Sequence, residues 1–480
     1  MRWFLLLPCL TLLTLSLAAQ DTRPDAKSVA PAVGNWEGVL HAGAIELRFG
    51  FTIKTNAEGV LSGVMLSIDQ GNAEIPISKG SFAKNEVKLS MPKVGASYTG
   101  TLSEKGDEIT GTFLQGLNKL PLKLKKVDSI TKPNRPQEPK PPFPYKAEEV
   151  SYENTTAKVK LGGTLTIPPG KGPFPAVLLI TGSGQQDRDE SLLGHKPFLV
   201  LADALTRRGI AVLRVDDRGI GKSTGDFAKS TTFDFADDTQ AGVEFLKTRK
   251  EIDPQRIGLI GHSEGGVIAP IVATKSKDVA FIVLMAGTGL TGEEIIYMQG
   301  RLISLAGGAK KEDVDRGMVI QRKLFALVKA ETPSNELVGK LKALLKSELA
   351  NMTESEKKEL EKQGGEAAVL AQLAAFASPW FKTFLIHDPR PVLAKVKCPV
   401  LAINGELDLQ VPCKENLDAI RDALEKAGHK EHTIKSFPKL NHLFQTCKTG
   451  SPTEYGKIEE TINPEVLKTI GDWILAHSTR

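Results

Sequence analysis

IGLIGHSEGGVIAP, residues 257–270, leads from an apolar run through a serine bracketed by glycines into a second apolar run. Ile257 to Ile260 reads as a buried strand, and Val267 and Ile268 sit in the helical segment that follows the turn. Gly261 and Gly265 let two backbones approach closely at a sharp bend, where Ser263 is held in a strained conformation with its hydroxyl exposed at the carboxyl edge of a sheet. A plain glycine-rich turn is the alternative. The strand before and the helix after favour a nucleophile.

Outward from this turn, strand-like and helical runs alternate. They are Ala176 to Ile180, a helix near Phe198 to Arg208, Ala211 to Val215, a helix near Phe233 to Thr248, Phe281 to Met285, Val400 to Ile403 and Thr433 to Phe437. This rhythm predicts an α/β fold with a mostly parallel sheet flanked by helices. Residues 290–390 break it with a stretch rich in Ala, Leu, Lys and Glu and without a convincing strand. A helical insert is expected there, placed as a lid over a pocket; a stabilising helical decoration is the other reading. Towards the N-terminus, residues 30–128 alternate apolar and polar positions in short runs separated by Gly, Asn and Asp turns, with room for about eight strands. They predict a small all-β, barrel-like domain. Its opening GNWEGVL, with Gly34 and Trp36, loosely resembles the start of a lipocalin-like barrel. A structural or targeting module is favoured over a ligand carrier. Between the two units, TKPNRPQEPKPPFP (Thr131 to Pro144) favours an extended, semi-rigid linker over residues 129–147, so the catalytic unit spans residues 148–480.

A serine hydroxyl needs a base to take its proton, and in this fold the acid and then the base follow the nucleophile along the chain. His387 lies in the insert, His432 opens the last strand, and His442 lies in the loop after it, FPKLNHLF. Loops after strands form the active edge, so His442 is chosen. The acid should lie on the loop after the preceding strand and fix the imidazole tautomer. In VLAINGELDLQVP that residue is Asp408, with Glu406 as runner-up. Two backbone donors complete the machinery: the amide of Ser183, in LLITGSGQQDRDE, and that of Glu264 are expected to form the oxyanion hole. Asp187, Arg188 and Asp189 either bind substrate or brace their loop, and Asp216, Arg218 and Ser223 are read as bracing a turn. Trp380, Phe381 and Phe384 of the insert are candidates for an apolar substrate pocket.

A 41% hydrophobic and 25% charged composition suits a globular enzyme, and the formal charge of +5 is not gathered into a basic block, which argues against a nucleic-acid partner. MRWFLLLPCLTLLTLSLAA, residues 1–19, has the Arg, the apolar run and the small terminal residues of a secretory signal, so an exported protein, periplasmic or secreted, is expected, without a membrane span in the mature chain. Three cysteines follow it. Cys413 and Cys447 lie on the acid and base loops, which predicts a disulfide bracing one against the other, with two free thiols as the alternative. Cys398 is expected to be a small buried apolar residue, and the absence of Cys or His clusters at ligand spacing predicts no metal.

TGSGQQDRDE, DDRGIGKSTG, GHSEGG, GELDLQVP, SPWFKTFLIHDP and LNHLFQTCKTGSPTEYGKIEETI make the chain from about residue 148 to 480 resemble bacterial α/β-hydrolases of the esterase D type, related to the dienelactone hydrolase and prolyl-peptidase-like groups. The resemblance implies a carboxylesterase acting on short acyl esters without a cofactor. Thr181 stands where many relatives have histidine; because the donor beyond it is a backbone amide, activity is still expected. A peptidase or amidase using the same residues, and a non-catalytic envelope ligand-binding protein, are the competing readings.

Overall fold

The structure, a computed structural model, describes residues 30–478 apart from 43–44, 57–58, 70–72, 116–117, 132, 332–333, 353, 355–369 and 371–372. The predicted signal at residues 1–19 lies outside the described residues.

Eight antiparallel strands close a barrel: β1 (Gly34–Ala42), β2 (Ile45–Thr55), β3 (Leu61–Ser67), β4 (Ala73–Ala83), β5 (Glu86–Met91), β6 (Ala96–Leu102), β7 (Glu108–Gln115) and β8 (Asn118–Val127), with β8 returning to β1. At eight strands the interior is just wide enough for side chains to fill it. Trp36, Phe51 and Tyr98 are fully buried there, and their polar atoms are satisfied internally: Trp36 Nε1 donates to Ala32 O at 3.0 Å and Tyr98 Oη lies 3.1 Å from both Ile109 O and Leu122 O. This is a packed module, as the alternation in its strands predicts.

The second sheet contains β9 (Lys146–Asn154), β10 (Val159–Ile167), β11 (Phe174–Ile180), β12 (Ala211–Val215), β13 (Ile252–His262), β14 (Phe281–Met285), β15 (Val400–Gly405) and β16 (His432–Phe437), in the order β16-β15-β14-β13-β11-β12-β10-β9. All neighbours from β16 to β12 are parallel, while β10 is antiparallel to both β12 and β9. This is the α/β-hydrolase arrangement. From β11 the chain steps one way to β12 and then crosses to the other side for β13. Binding crevices of open α/β sheets form at such a reversal, outside the carboxyl ends of the strands. The β9–β10 hairpin escapes the sequence reading because β9 is a polar edge strand and β10 carries adjacent glycines, Gly162 and Gly163.

Helices α1 (Pro197–Thr206), α2 (Thr232–Lys247) and α3 (Gly265–Lys275) cover the sheet. Helix α2 starts at a capping box in which Thr231 and Asp234 satisfy each other's backbone amides. Between β14 and β15 the described residues hold helices at Gly292–Ala306, Lys311–Ala330, Asn335–Ala350 and Pro379–Ile386, which share their own core around Phe325, Phe376 and Phe381. The insert is helical, as expected. Among the described residues no helix is long and apolar enough to cross a membrane.

The proline-rich stretch, expected to be extended, turns at residues 135–138, where Glu138 N–H donates to Arg135 O at 3.1 Å, and it is not a free spacer. Arg135 places its guanidinium against five backbone carbonyls, those of Asn134, Leu193, Gly194, Gly456 and Ile458, at 2.8–3.1 Å. Gln137 adds contacts with Thr461 N and Ile462 O. A planar five-donor group is the only side chain that can serve so many acceptors at once. Burial, with the positive charge of Arg48 adding to it, holds its pKa below the usual arginine value. Arg135→Met leaves four carbonyls of the catalytic unit without this donor, so a loss of about 3 kcal/mol is expected. Urea unfolding of the full chain measures it, and an unchanged midpoint refutes the clamp.

Candidate active site

Parallel register aligns Ile180 with Gly261 and Gly405 with Phe437, so the turn after β11 lies beside the turn after β13, and the loops after β15 and β16 face each other. Gly261 is required because a Cβ there would lie 1.9 Å from Gly265 O; at Gly265 it would lie 2.2 Å from Ile180 O. This is the close approach anticipated for both glycines. Ser263 sits at the apex with φ +53°, a left-handed conformation costing about 1–2 kcal/mol in a non-glycine residue. Its N–H donates to Met285 O at 2.9 Å and its carbonyl accepts Gly266 N–H at 2.9 Å. From Gly261 to Val272 every residue is buried except Ser263. The tightest steric constraint in the sheet thus presents one hydroxyl.

His442 follows β16 in a loop stiffened by Asn441, whose Oδ1 accepts the amides of Leu443 and Gln445 at 3.0 Å. Its Nδ1 lies 2.7 Å from Asp408 Oδ2, with 6% and 0% of the two side chains exposed. Asp408 Oδ1 accepts the amides of Gln410 and Val411, both at 2.8 Å. Glu406 is exposed and accepts Ser436 Oγ at 2.8 Å, so the runner-up carboxylate points away. Among the described residues, Ser263 Oγ and His442 Nε2 are not hydrogen-bonded; in ligand-free enzymes such contacts are often long and tighten with substrate.

Gly182 of the turn after β11 faces the elbow: a Cβ there would come within 3.3 Å of Ser263 Cβ. Its amide donates to Glu190 Oε1 at 2.7 Å, and Thr181 Oγ1 donates to Asp217 Oδ1 at 2.8 Å. The amides of Ser183 and Glu264 have no acceptor among the described residues. Asp217 is pushed up to about 8, chiefly by burial. Burial also raises the Glu264 carboxyl, which accepts Thr232 Oγ1 at 2.6 Å and Trp380 Nε1 at 2.8 Å. The insert is therefore bonded directly to the residue after the serine.

That contact changes the aromatic-pocket expectation. Phe381 is 1% exposed inside the insert's own core, where it stacks on Phe376, because helical spacing turns it away from the face that carries Trp380 and Phe384. Trp380 and Phe384 stack at 5.3 Å and are partly exposed on the face towards the elbow.

The disulfide expectation is corrected as well. Cys413 and Cys447 are free thiols. Cys413 begins the helix Cys413–Lys426 and is buried in the main core, whereas Cys447 donates to Lys439 O at 3.5 Å. Proximity of the two loops did not bring their sulfurs together. Burial pushes both thiols up, to about 12 and about 11, which keeps them protonated and unreactive at neutral pH. Cys398 is only partly buried and packs against the main core.

The charged residues around the turn after β11 are braces. Arg188 grips Asp216 through Nε and Nη2, at 3.0 and 2.7 Å, and also reaches Glu149; Asp189 pairs with Arg214 and Arg218 with Asp238. Ser223 Oγ donates to Asp216 O at 2.7 Å. Two buried residues with no role in the sequence reading stand at the centre. Glu190 closes the quoted TGSGQQDRDE and His262 precedes the serine, and His262 Nδ1 lies 2.9 Å from Glu190 Oε1. They are 72 residues apart, so no local pattern announces the pair.

Among the described residues no group of three or more His, Cys, Asp or Glu could hold a metal ion.

Esterase EstD of Thermotoga maritima is 28% identical over 335 residues, covering 69% of this chain and 70% of the relative. A crystal structure of a dienelactone hydrolase from Anabaena variabilis is 16% identical with a TM-score of 0.38, covering 70% of this chain and 99% of that one. The Pyrococcus furiosus esterase Pf2001 is 15% identical with a TM-score of 0.40, covering 69% and 93%. The family model described as X-Pro dipeptidyl-peptidase (S15 family) matches residues 157–434, from the second strand of the sheet to the last and more than half of the chain. With the sheet from its second strand to the start of its last and the serine elbow inside that span, the chain belongs to the X-Pro dipeptidyl-peptidase (S15) family.

Proposed function

We propose that this protein is an exported serine hydrolase that cleaves carboxylic esters, with short acyl chains favoured, through Ser263, His442 and Asp408. The observation that carries the reading is the buried Asp408–His442 pair, 2.7 Å apart, beside a serine held at φ +53°. His442 Nε2 takes the proton from Ser263 Oγ as the oxygen attacks the ester carbonyl. The amides of Ser183 and Glu264 receive the oxyanion, and His442 returns its proton to the leaving alcohol. Water then enters, His442 activates it, and the acid departs from Ser263. No cofactor takes part. The likeness to an esterase over most of both chains supports ester over amide, and the leader-like residues 1–19 support export.

A second reading, cleavage of an amide by the same residues, is favoured by the family match itself. The test offers the mature protein a p-nitrophenyl ester series from acetate to laurate beside X-Pro p-nitroanilides, with a fluorophosphonate probe mapped by peptide mass spectrometry. Turnover of the short esters with label on Ser263 is the expected result. Anilide turnover alone transfers the reading to a peptidase, and inertness to substrates and probe alike transfers it to a binding protein.

A further inference from the structure

His262 is buried, and both of its ring nitrogens meet oxygens. Nδ1 lies 2.9 Å from Glu190 Oε1 and Nε2 lies 3.1 Å from the backbone carbonyl of His442, 180 residues further on. The His442 carbonyl can only accept. Glu190 Oε1, as the oxygen of an ionised carboxylate paired with His262, can likewise only accept, and it takes the Gly182 N–H at 2.7 Å as well. A neutral imidazole has one donor and one acceptor nitrogen and can satisfy only one of these contacts as a donor; an imidazolium satisfies both. We propose that His262 is a buried imidazolium clamped between Glu190 and the His442 carbonyl, and that this ion pair is a positioning element joining the oxyanion turn, the serine elbow and the base loop.

The inference rests on the serine-hydrolase reading for its effect on turnover, but not for the charge state of His262. Each contact fixes a different part. Glu190 holds Gly182, one residue before the oxyanion donor Ser183. His262 precedes Ser263, and its bond to the His442 carbonyl sets the height of the base loop. Displacing reacting groups by about 1 Å can cost about 10²-fold in rate. The charge matters too, because a carboxylate beside an oxyanion hole opposes the negative charge that develops there, and the imidazolium offsets it.

The ionisable groups facing His262 are Glu190 from the oxyanion turn and His442 and Asp408 from the base and acid loops, with the two imidazole rings 4.8 Å apart. Burial lowers the pKa of His262, but Glu190 and the His442 carbonyl outweigh it and the net direction is up. His195, also buried but without a paired carboxylate, is instead pushed down to about 4 by burial. A raised folded value means that the stabilisation from His262 is complete below the unfolded value of about 6.5 and is lost as pH rises through the folded value. Loss of the proton releases one of the two acceptors, so turnover falls on the alkaline side.

The first test is ¹⁵N-imidazole NMR on histidine-labelled wild-type protein near neutral pH, assigned by difference with His262→Gln. Protonation of both ring nitrogens is expected; one unprotonated nitrogen overturns the proposal whether or not any ester is hydrolysed. The second is the pH profile of kcat. His262→Gln, which keeps a donor only near the Nε2 position, is expected to lose about 10²-fold in kcat with KM within about threefold, and to lack the alkaline limb of the wild type. An effect confined to KM, or an unchanged limb, overturns it. Glu190→Gln keeps the Oε1 acceptor and removes the charge; it is expected to move the limb about one pH unit or more to lower pH, and a limb that stays in place overturns the proposal even if His262→Gln fails to fold.

Discussion

Ser263→Ala is expected to lower kcat for any turned-over ester by about 10⁶-fold and to abolish fluorophosphonate labelling, while the protein remains folded. The size follows from the loss of the covalent step: without Oγ, the oxyanion amides and the binding site still hold substrate, but no acyl-enzyme forms and His442 has no proton to accept. The fold survives because the elbow is shaped by Gly261, Gly265 and the Ser263 N–H bond to Met285 O, none of which uses the hydroxyl. Alanine inherits the strain of φ +53°. Ser263→Gly relieves it and should be equally inactive but more stable by about 1 kcal/mol. Steady-state kinetics with active-site titration and thermal unfolding measure both effects; residual turnover within about tenfold of wild type in Ser263→Ala removes Ser263 from the mechanism.

Asp408→Asn should cost about 10⁴-fold in kcat, although it is nearly isosteric. Oδ1 of Asp408 accepts the amides of Gln410 and Val411, which require an oxygen there. An asparagine therefore turns its NH₂ towards His442 Nδ1. That forces the proton of the neutral imidazole onto Nε2, the nitrogen that must be free to accept from Ser263. The loop keeps its two backbone bonds, so the loss is one of tautomer and charge and appears in kcat more than in KM. Glu406→Gln is the matched control: Glu406 is exposed on Ser436, so kcat should stay within about twofold of wild type. A deficit in Glu406→Gln comparable to that of Asp408→Asn reverses the assignment of the acid.

The sequence by itself determined those features whose cause is local or periodic. The Gly261–Ser263–Gly265 bend is legible because only glycine permits approaches as short as those found, and the strands at Phe281–Met285 and Val400 to Ile403 are legible because a strand buried on both faces reads as an apolar run. The barrel is legible for the converse reason, since one face of each strand meets the interior and the other meets water. The order of the candidate nucleophile, acid and base follows from the order of the strands, so Ser263, Asp408 and His442 could be proposed together before the Asp408–His442 contact was known.

Only the tertiary structure decided what depends on the direction in which side chains leave neighbouring loops. Cys413 starts the helix that follows the Asp408 loop and Cys447 lies in the loop after β16, yet one thiol enters the core and the other meets Lys439 O. Trp380 and Phe381 are adjacent, but the helix turns one towards Glu264 and the other into the insert. Arg135 lies in a stretch that reads as a spacer until its carbonyl partners, more than 50 and more than 320 residues away, are in place. The Glu190–His262 contact is the fullest case: it exists only because the reversal at β11 lays the turns after β11 and β13 side by side, and burial then makes the protonation of one imidazole depend on the loop that carries another.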